Sequence, residues 1–136
     1  MKLIIFTPPL NVAARNLIRS LEHLKRTAQI QHFGDIASLA EYLRRPMGTA
    51  VICILFPANN LELRRLNNIR HLLRDMRLIL ILPDGKPETI SDGHALRPRY
   101  VSYADCPLAD VAAVVDKMIG QTLDRNMAVS NQRISK

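Results

Sequence analysis

The chain has no tryptophan, and aromatic residues of any kind make up only 4% of it. A core without large rings must be filled by Leu, Ile, Val and Ala, and a surface that stacks on nucleobases has few residues to be built from. Cysteine is scarce as well. Cys53 and Cys106 show no metal-ligand spacing, which favours a reduced, cytosolic chain over a disulfide-bonded one. Cys53 lies inside an apolar run, where a free thiol behaves as a small hydrophobe. Long hydrophobic runs are also missing. The start, "MKLIIFTPPLN", offers four apolar residues before Thr-Pro-Pro, too few for a signal-peptide core. No run approaches the ~20 residues of a membrane span. A soluble, cytoplasmic protein with no membrane partner is expected.

What is present points to one ordinary globular domain. A chain of 136 residues can enclose a full core and is short for two domains. Its apolar share of 48% argues against disorder. The 19 Lys and Arg against 12 Asp and Glu leave a net charge of +7, carried mainly by Arg. That excess favours acidic partners and bidentate contacts to carboxylates or phosphates, and says nothing of fold.

Apolar runs and helical patterns alternate along the chain. "KLIIF" (Lys2–Phe6) reads as a buried strand. "NVAARNLIRSLEHLKR" follows as a helix, with Asn11 as N-cap and Ala14, Leu17, Ile18, Leu21 and Leu24 on one face. "AQIQHF" alternates as an edge strand. In "DIASLAEYLRR", Ile36, Leu39, Ala40 and Leu43 form the next stripe, ended by Pro46 and Gly48. "TAVICILF" is the most continuous β-branched run and so a central strand covered on both faces. "NNLELRRLNNIRHLLRD" carries Leu61, Leu66, Ile69, Leu72 and Leu73 on a helical face. "MRLILILP" is a second interior strand. A weak fourth helix opens at Pro87 and is limited by Gly93 and Pro98. "RYVSY" is a short edge strand, and "PLADVAAVVDKMIG" is a closing helix with Gly120 as its C-cap. From Gln121 the periodicity fades. Residues 1–120 are therefore expected to form the domain and 121–136 a flexible tail. The order is (βα)5, whose expected solution is a flavodoxin-like, doubly wound parallel sheet in the order 2-1-3-4-5. "TPPLN" after the first strand is no glycine-rich turn, which disfavours a Rossmann half-domain.

In such a sheet, chemistry gathers at the carboxyl ends of the strands. The succession of lengths, the two strong interior strands, the weak fourth helix and the last helix near residue 120 together resemble the receiver domain of bacterial response regulators. The resemblance spans Met1 to Gly120 and implies an acidic pair after the first strand for Mg²⁺, and a phosphoacceptor Asp ending the third. It also implies a Thr or Ser ending the fourth, and Lys-Pro ending the fifth. Here those places read Thr7-Pro8-Pro9, Leu55-Phe56-Pro57, Pro83-Asp84 and Ser102-Tyr103-Ala104-Asp105-Cys106-Pro107. Mg²⁺ needs oxygen ligands and the transferred phosphoryl group needs cationic or hydroxyl partners, so the set is missing as a whole. The resemblance is thus to a degenerate receiver, a pseudo-receiver, which implies binding proteins rather than transferring phosphate.

The remaining candidates are weaker. Asp84, Lys86 and Asp105 could meet at the carboxyl end, although Asp84-Gly85 reads as a turn and Asp105 as a helix cap. Arg15, Arg19, His23 and Arg26 recur at helical spacing on the first helix, and Arg64, Arg65, Arg70, His71 and Arg74 decorate the third. Glu22, Glu62 and Asp75 are interspersed among them and no stacking aromatics are, as on a solvated face. The four histidines are scattered, and Cys106 has no base near it in the chain. "HALRPRYVSY" is the most distinctive stretch: Arg97, Arg99, Tyr100 and Tyr103 gather the residue types enriched at interface hot spots. In receivers the surface of the fourth helix, fifth strand and fifth helix is the usual docking face.

A non-enzymatic, unphosphorylated, stand-alone interaction module in bacterial signalling is therefore expected. It has no catalytic residue, metal or cofactor, and its protein partner is unidentified, with a homodimer among the expected forms. Two alternatives are a small-molecule site among Thr7, Asn11, Asn59, Asn60 and Asp84, and nucleic-acid binding through the basic helices, the latter disfavoured.

Overall fold

The computed structural model describes residues 1–7, 12–106 and 109–134, with residues 122–134 described for their backbone course only. Five strands, β1 (Lys2–Phe6), β2 (Gln29–Phe33), β3 (Val51–Leu55), β4 (Arg77–Leu82) and β5 (Tyr100–Tyr103), alternate with five helices. The helices are α1 (Val12–Leu21), α2 (Ile36–Leu43), α3 (Asn60–Asn68), α4 (Pro87–His94) and α5 (Ala109–Ile134). The sheet order is β2-β1-β3-β4-β5 and every pairing is parallel. This is the flavodoxin-like, receiver-like architecture expected from the run order.

Strand alternation divides the core in two. Leu3, Ile5, Ile52, Ile54, Ile79 and Ile81 pack with Leu17 and Leu21 of α1 and Val111, Val115 and Ile119 of α5. The intervening residues pack with α2 and α3: Ile4, Phe6, Cys53, Leu55, Leu78, Leu80 and Leu82 meet Leu39, Leu43, Leu63 and Leu66. All five residues of β3 are buried, as the continuous run predicts. The Cys53 thiol is fully enclosed, and burial pushes its pKa up to about 12, so it serves as a core hydrophobe. Arg77 anchors the start of β4 to α5 by donating from Nη1 to the Met118 carbonyl at 3.3 Å.

Three local expectations are corrected. The first helix does not run on to Arg26: α1 ends at Leu21 and a 3-10 helix covers Glu22–Arg26. In α3 the buried face is Leu63 and Leu66, while Leu61 is 60% exposed. The cap at Asn59 starts that helix, and a 3-10 turn over Arg70–Leu72 rephases its end so that Leu73 returns to the core. Gly120 does not terminate α5, because its φ is not positive and the backbone stays helical to Ile134. The Asn11 cap lies outside the described residues.

Gly93 owes its identity to close approach. A Cβ there would stand 2.8 Å from Leu82 Cδ2 and 2.9 Å from Leu80 Cδ2, because α4 rests directly on β4. Gly93→Val should therefore lower stability by ~1–3 kcal/mol through overpacking. Gly120 has open space around it inside a helix, so Gly120→Ala should raise stability by ~0.5–1 kcal/mol. Urea unfolding of the two variants checks both signs; a loss in Gly120→Ala would restore the expected left-handed cap.

Candidate functional site

The carboxyl end of the sheet is built around the ends of β1 and β3, where Phe6 and Leu55 stand in register. One residue further, the Phe56 N–H donates to the Phe6 carbonyl at 2.9 Å, which extends the ladder. Its ring enters the α1–α5 side of the core at 1% exposure, and Leu55 enters the other side at 0%. The end of the third strand is thus packed hydrocarbon. Thr7 is also enclosed. Its N–H donates to the Phe33 carbonyl at 3.1 Å, and its hydroxyl hydrogen-bonds His32 Nε2 across to β2. Partial burial lowers the His32 pKa below its usual 6.5, which favours the neutral imidazole.

Several of the remaining polar groups at this end are occupied by backbone. Asn59 Oδ1 accepts from the Glu62 N–H at 2.9 Å, and Glu62 Oε1 accepts from the Ala58 N–H at 3.0 Å. Together they cap α3 reciprocally. Asp84 Oδ1 accepts from the Lys86 N–H at 3.0 Å, the main cause that holds its carboxyl below the ordinary range. That is the turn reading of Asp84. Asn60 Oδ1 is buried without a hydrogen-bond partner among the described residues. A shallow groove of about 720 Å³ runs between Pro83–Gly85 and Tyr103–Cys106. It brings Asp84 and Asp105 together but excludes Thr7, Asn59 and Asn60, so the polar set named for a small molecule is not gathered there. Asn11 and Pro107 lie outside the described residues. Cys106 is exposed, its Sγ 4.0 Å from Asp105 Oδ1. Among the described residues no three His, Cys, Asp or Glu side chains could share a metal ion.

The Arg and Tyr residues before and within β5 are spread over the edge of the sheet. Tyr100 packs against the α1–α5 side, and Tyr103 against the other. Tyr103 lines the groove at the carboxyl end, while Arg97 lies below the amino end of β5. Arg99 is exposed and tied by its backbone N–H to the Leu78 carbonyl at 2.8 Å. Arg97 instead meets Arg70, from the turn after α3, around a separate groove. The parallel order contains that signal: the segments entering β4 and β5 must emerge side by side at the amino end.

The basic helices are mostly solvated. Arg15, Arg19, Arg26 and Arg65 are exposed, and Arg64 Nε stands 3.5 Å from Asp92 Oδ2. The 3-10 winding after α1 breaks the helical stripe, and His23 Nε2 turns to Asp116 Oδ1 of α5 at 2.9 Å. That pair is about half exposed and contributes little. Among the described residues no helix is long and apolar enough to cross a membrane.

No protein-family model and no curated protein sequence matches the chain. Among solved structures, it is similar to a response regulator protein from Burkholderia pseudomallei, crystallised with a phosphorylated aspartic acid, calcium ion and citrate. The match has a TM-score of 0.61 at 12% identity and covers 96% of this chain and 75% of that one. The fold is therefore that of a response-regulator receiver.

The Thr7–His32 pair generates a pH prediction. A folded-state pKa below 6.5 means that protonating His32 disfavours the fold. The stability it contributes is complete above pH 6.5 and is lost as pH falls through the lowered pKa. The fall in melting temperature from pH 8 to pH 5 should be smaller in His32→Gln than in the wild type. Parallel curves for the two proteins would count against it.

Proposed function

We propose that the chain is a non-enzymatic pseudo-receiver that takes no phosphoryl group and acts in bacterial signalling, in the cytoplasm, by binding proteins. The observation that carries this reading is the end of β3, where Leu55 and Phe56 are sealed in the two halves of the core. Phosphoryl transfer needs an open carboxylate nucleophile, and Mg²⁺ needs oxygen ligands beside it. A receiver scaffold with that position filled keeps only its surfaces for work. The β5 edge supports a docking role, since an unpaired edge strand must be covered or protected, and Arg99 stands exposed just before the strand that carries Tyr100 and Tyr103. A symmetric contact between two copies is the commonest use of such a surface.

Incubation with acetyl phosphate and Mg²⁺ should give no mass increase of one phosphoryl group; a hydroxylamine-labile increase would overturn the reading. Arg99→Glu and Tyr103→Ala should each weaken self-association or partner capture by more than ~1 kcal/mol, with the fold intact. Arg19→Glu on α1 should do much less. Sedimentation and pull-down of the three variants decide it, and equal loss from Arg19→Glu would move the interface to the basic helices.

A further inference from the structure

The amino end of the sheet carries a second groove, away from the carboxyl end where receiver chemistry would lie. The chain leaving α3 returns to β4 through the 3-10 turn Arg70–Leu72, and the chain leaving α4 returns to β5 through Ala95–Arg99. Between these two returns lies a groove of about 630 Å³. Leu73, Leu78 and Leu96, all nearly buried, form its floor. Arg70 and Arg74 stand on one wall and Arg97 on the other, and all three are exposed. His71 adds an imidazole, and among the described residues no carboxylate lines the groove. None of the three arginines has an ion-pair partner among the described residues.

Arg97 is the one described non-glycine residue with positive φ, at 55°. Holding an L-residue in that left-handed region costs roughly 1–2 kcal/mol, which glycine would avoid. A backbone that would be easier with glycine therefore carries a guanidinium over the groove.

We propose that this groove binds an acidic segment of a partner protein, with carboxylates on the arginines and an apolar side chain against Met76 and Ala95. Guanidinium groups on both walls match carboxylates bidentately, and Met76 and Ala95, the apolar residues left open on the lining, give such a segment an anchor. Nucleic acid fits less well. A phosphate backbone calls for a continuous basic track, yet Arg15 and Arg19 of α1 lie across the sheet from this groove, and among the described residues its lining has no Phe, Tyr or Trp for stacking. The proposal rests on the reading of the chain as an interaction module and names the partner's chemistry.

The test is fluorescence anisotropy with a labelled alternating Glu-Leu octapeptide, its Lys-Leu counterpart and a labelled single-stranded oligothymidylate. Wild type should bind the Glu-Leu peptide saturably and the Lys-Leu peptide not at all. The double variant Arg70→Glu/Arg74→Glu should weaken binding by about tenfold or more, and Arg19→Glu should not. Arg97→Gly separates binding from folding: its melting temperature should hold or rise while its peptide affinity falls. No saturable binding, equal loss in Arg19→Glu, or tighter binding of the oligothymidylate than of the peptide would each overturn the proposal. Acetyl phosphate labelling reads the other claim independently. A labelled chain that still binds the peptide through Arg70 and Arg74 would sink the pseudo-receiver reading and leave the groove standing. An unlabelled chain that ignores the peptide would do the reverse.

Discussion

A parallel sheet has to be covered on both faces, and that requirement organises this molecule. β3 is buried along its whole length, and β4 from Leu78 onward. Each strand therefore sends alternate residues into two separate apolar layers, one closed by α1 and α5 and the other chiefly by α2 and α3. On β4 the division even sorts side-chain shape, with Ile79 and Ile81 on one face and Leu78, Leu80 and Leu82 on the other. Such a sheet leaves no face for polar work. Whatever the protein recognises must be met at the strand ends, at the two sheet edges or on the outer helix surfaces.

At the carboxyl end, core and site compete for the same positions. A residue at the end of β3 either faces water, where a carboxylate stays ionised and can ligate a metal, or seals the layer beneath it. Phe56 does the second, and its backbone N–H lengthens the ladder with β1 at the same time. Truncating a buried aromatic typically costs 3–5 kcal/mol, so the plug is a substantial part of a domain's net stability. Thr7 repeats the pattern on β1, where its hydroxyl is turned to His32. Asn59, Glu62 and Asp84 complete it by holding backbone N–H groups. Polar side chains are present at this end, but several of the most prominent are engaged by neighbours.

The fold was legible because it depends on period and order. Continuous apolar runs marked the two interior strands, and alternation marked an edge. The misreadings came where local winding shifts phase. Leu61 and Leu63 are both apolar and two apart, so only the start of α3 at its Asn59 cap decides which is buried. Gly120 looks like a cap in sequence, but a glycine caps only in the left-handed conformation, which it does not adopt. The residue types at the strand ends were legible too, because Thr7, Leu55 and Phe56 can be placed from the order of the runs alone. The basic groove was not read, although the expected order already made β4 and β5 neighbours, because Arg70 and Arg97 are distant in sequence and only the course of the two returning segments brings them to one groove.

Charge distribution carries the last step. The net +7 is not spread evenly in effect, because some cations are paired or hydrogen-bonded locally while others are left in clusters. Arg64 has Asp92, and Arg77 is spent on the α5 carbonyl. Arg70, Arg74 and Arg97 line one groove with no ion pair of their own among the described residues, so any repulsion between them is relieved by no direct salt bridge. Water and salt screen much of that repulsion while the groove is open. A segment lying in the groove would exclude that water, and the attraction of its own carboxylates would strengthen as the local dielectric falls. Burial of the apolar anchor and pairing of the charges thus reinforce each other, which neither an apolar nor a purely anionic ligand achieves alone.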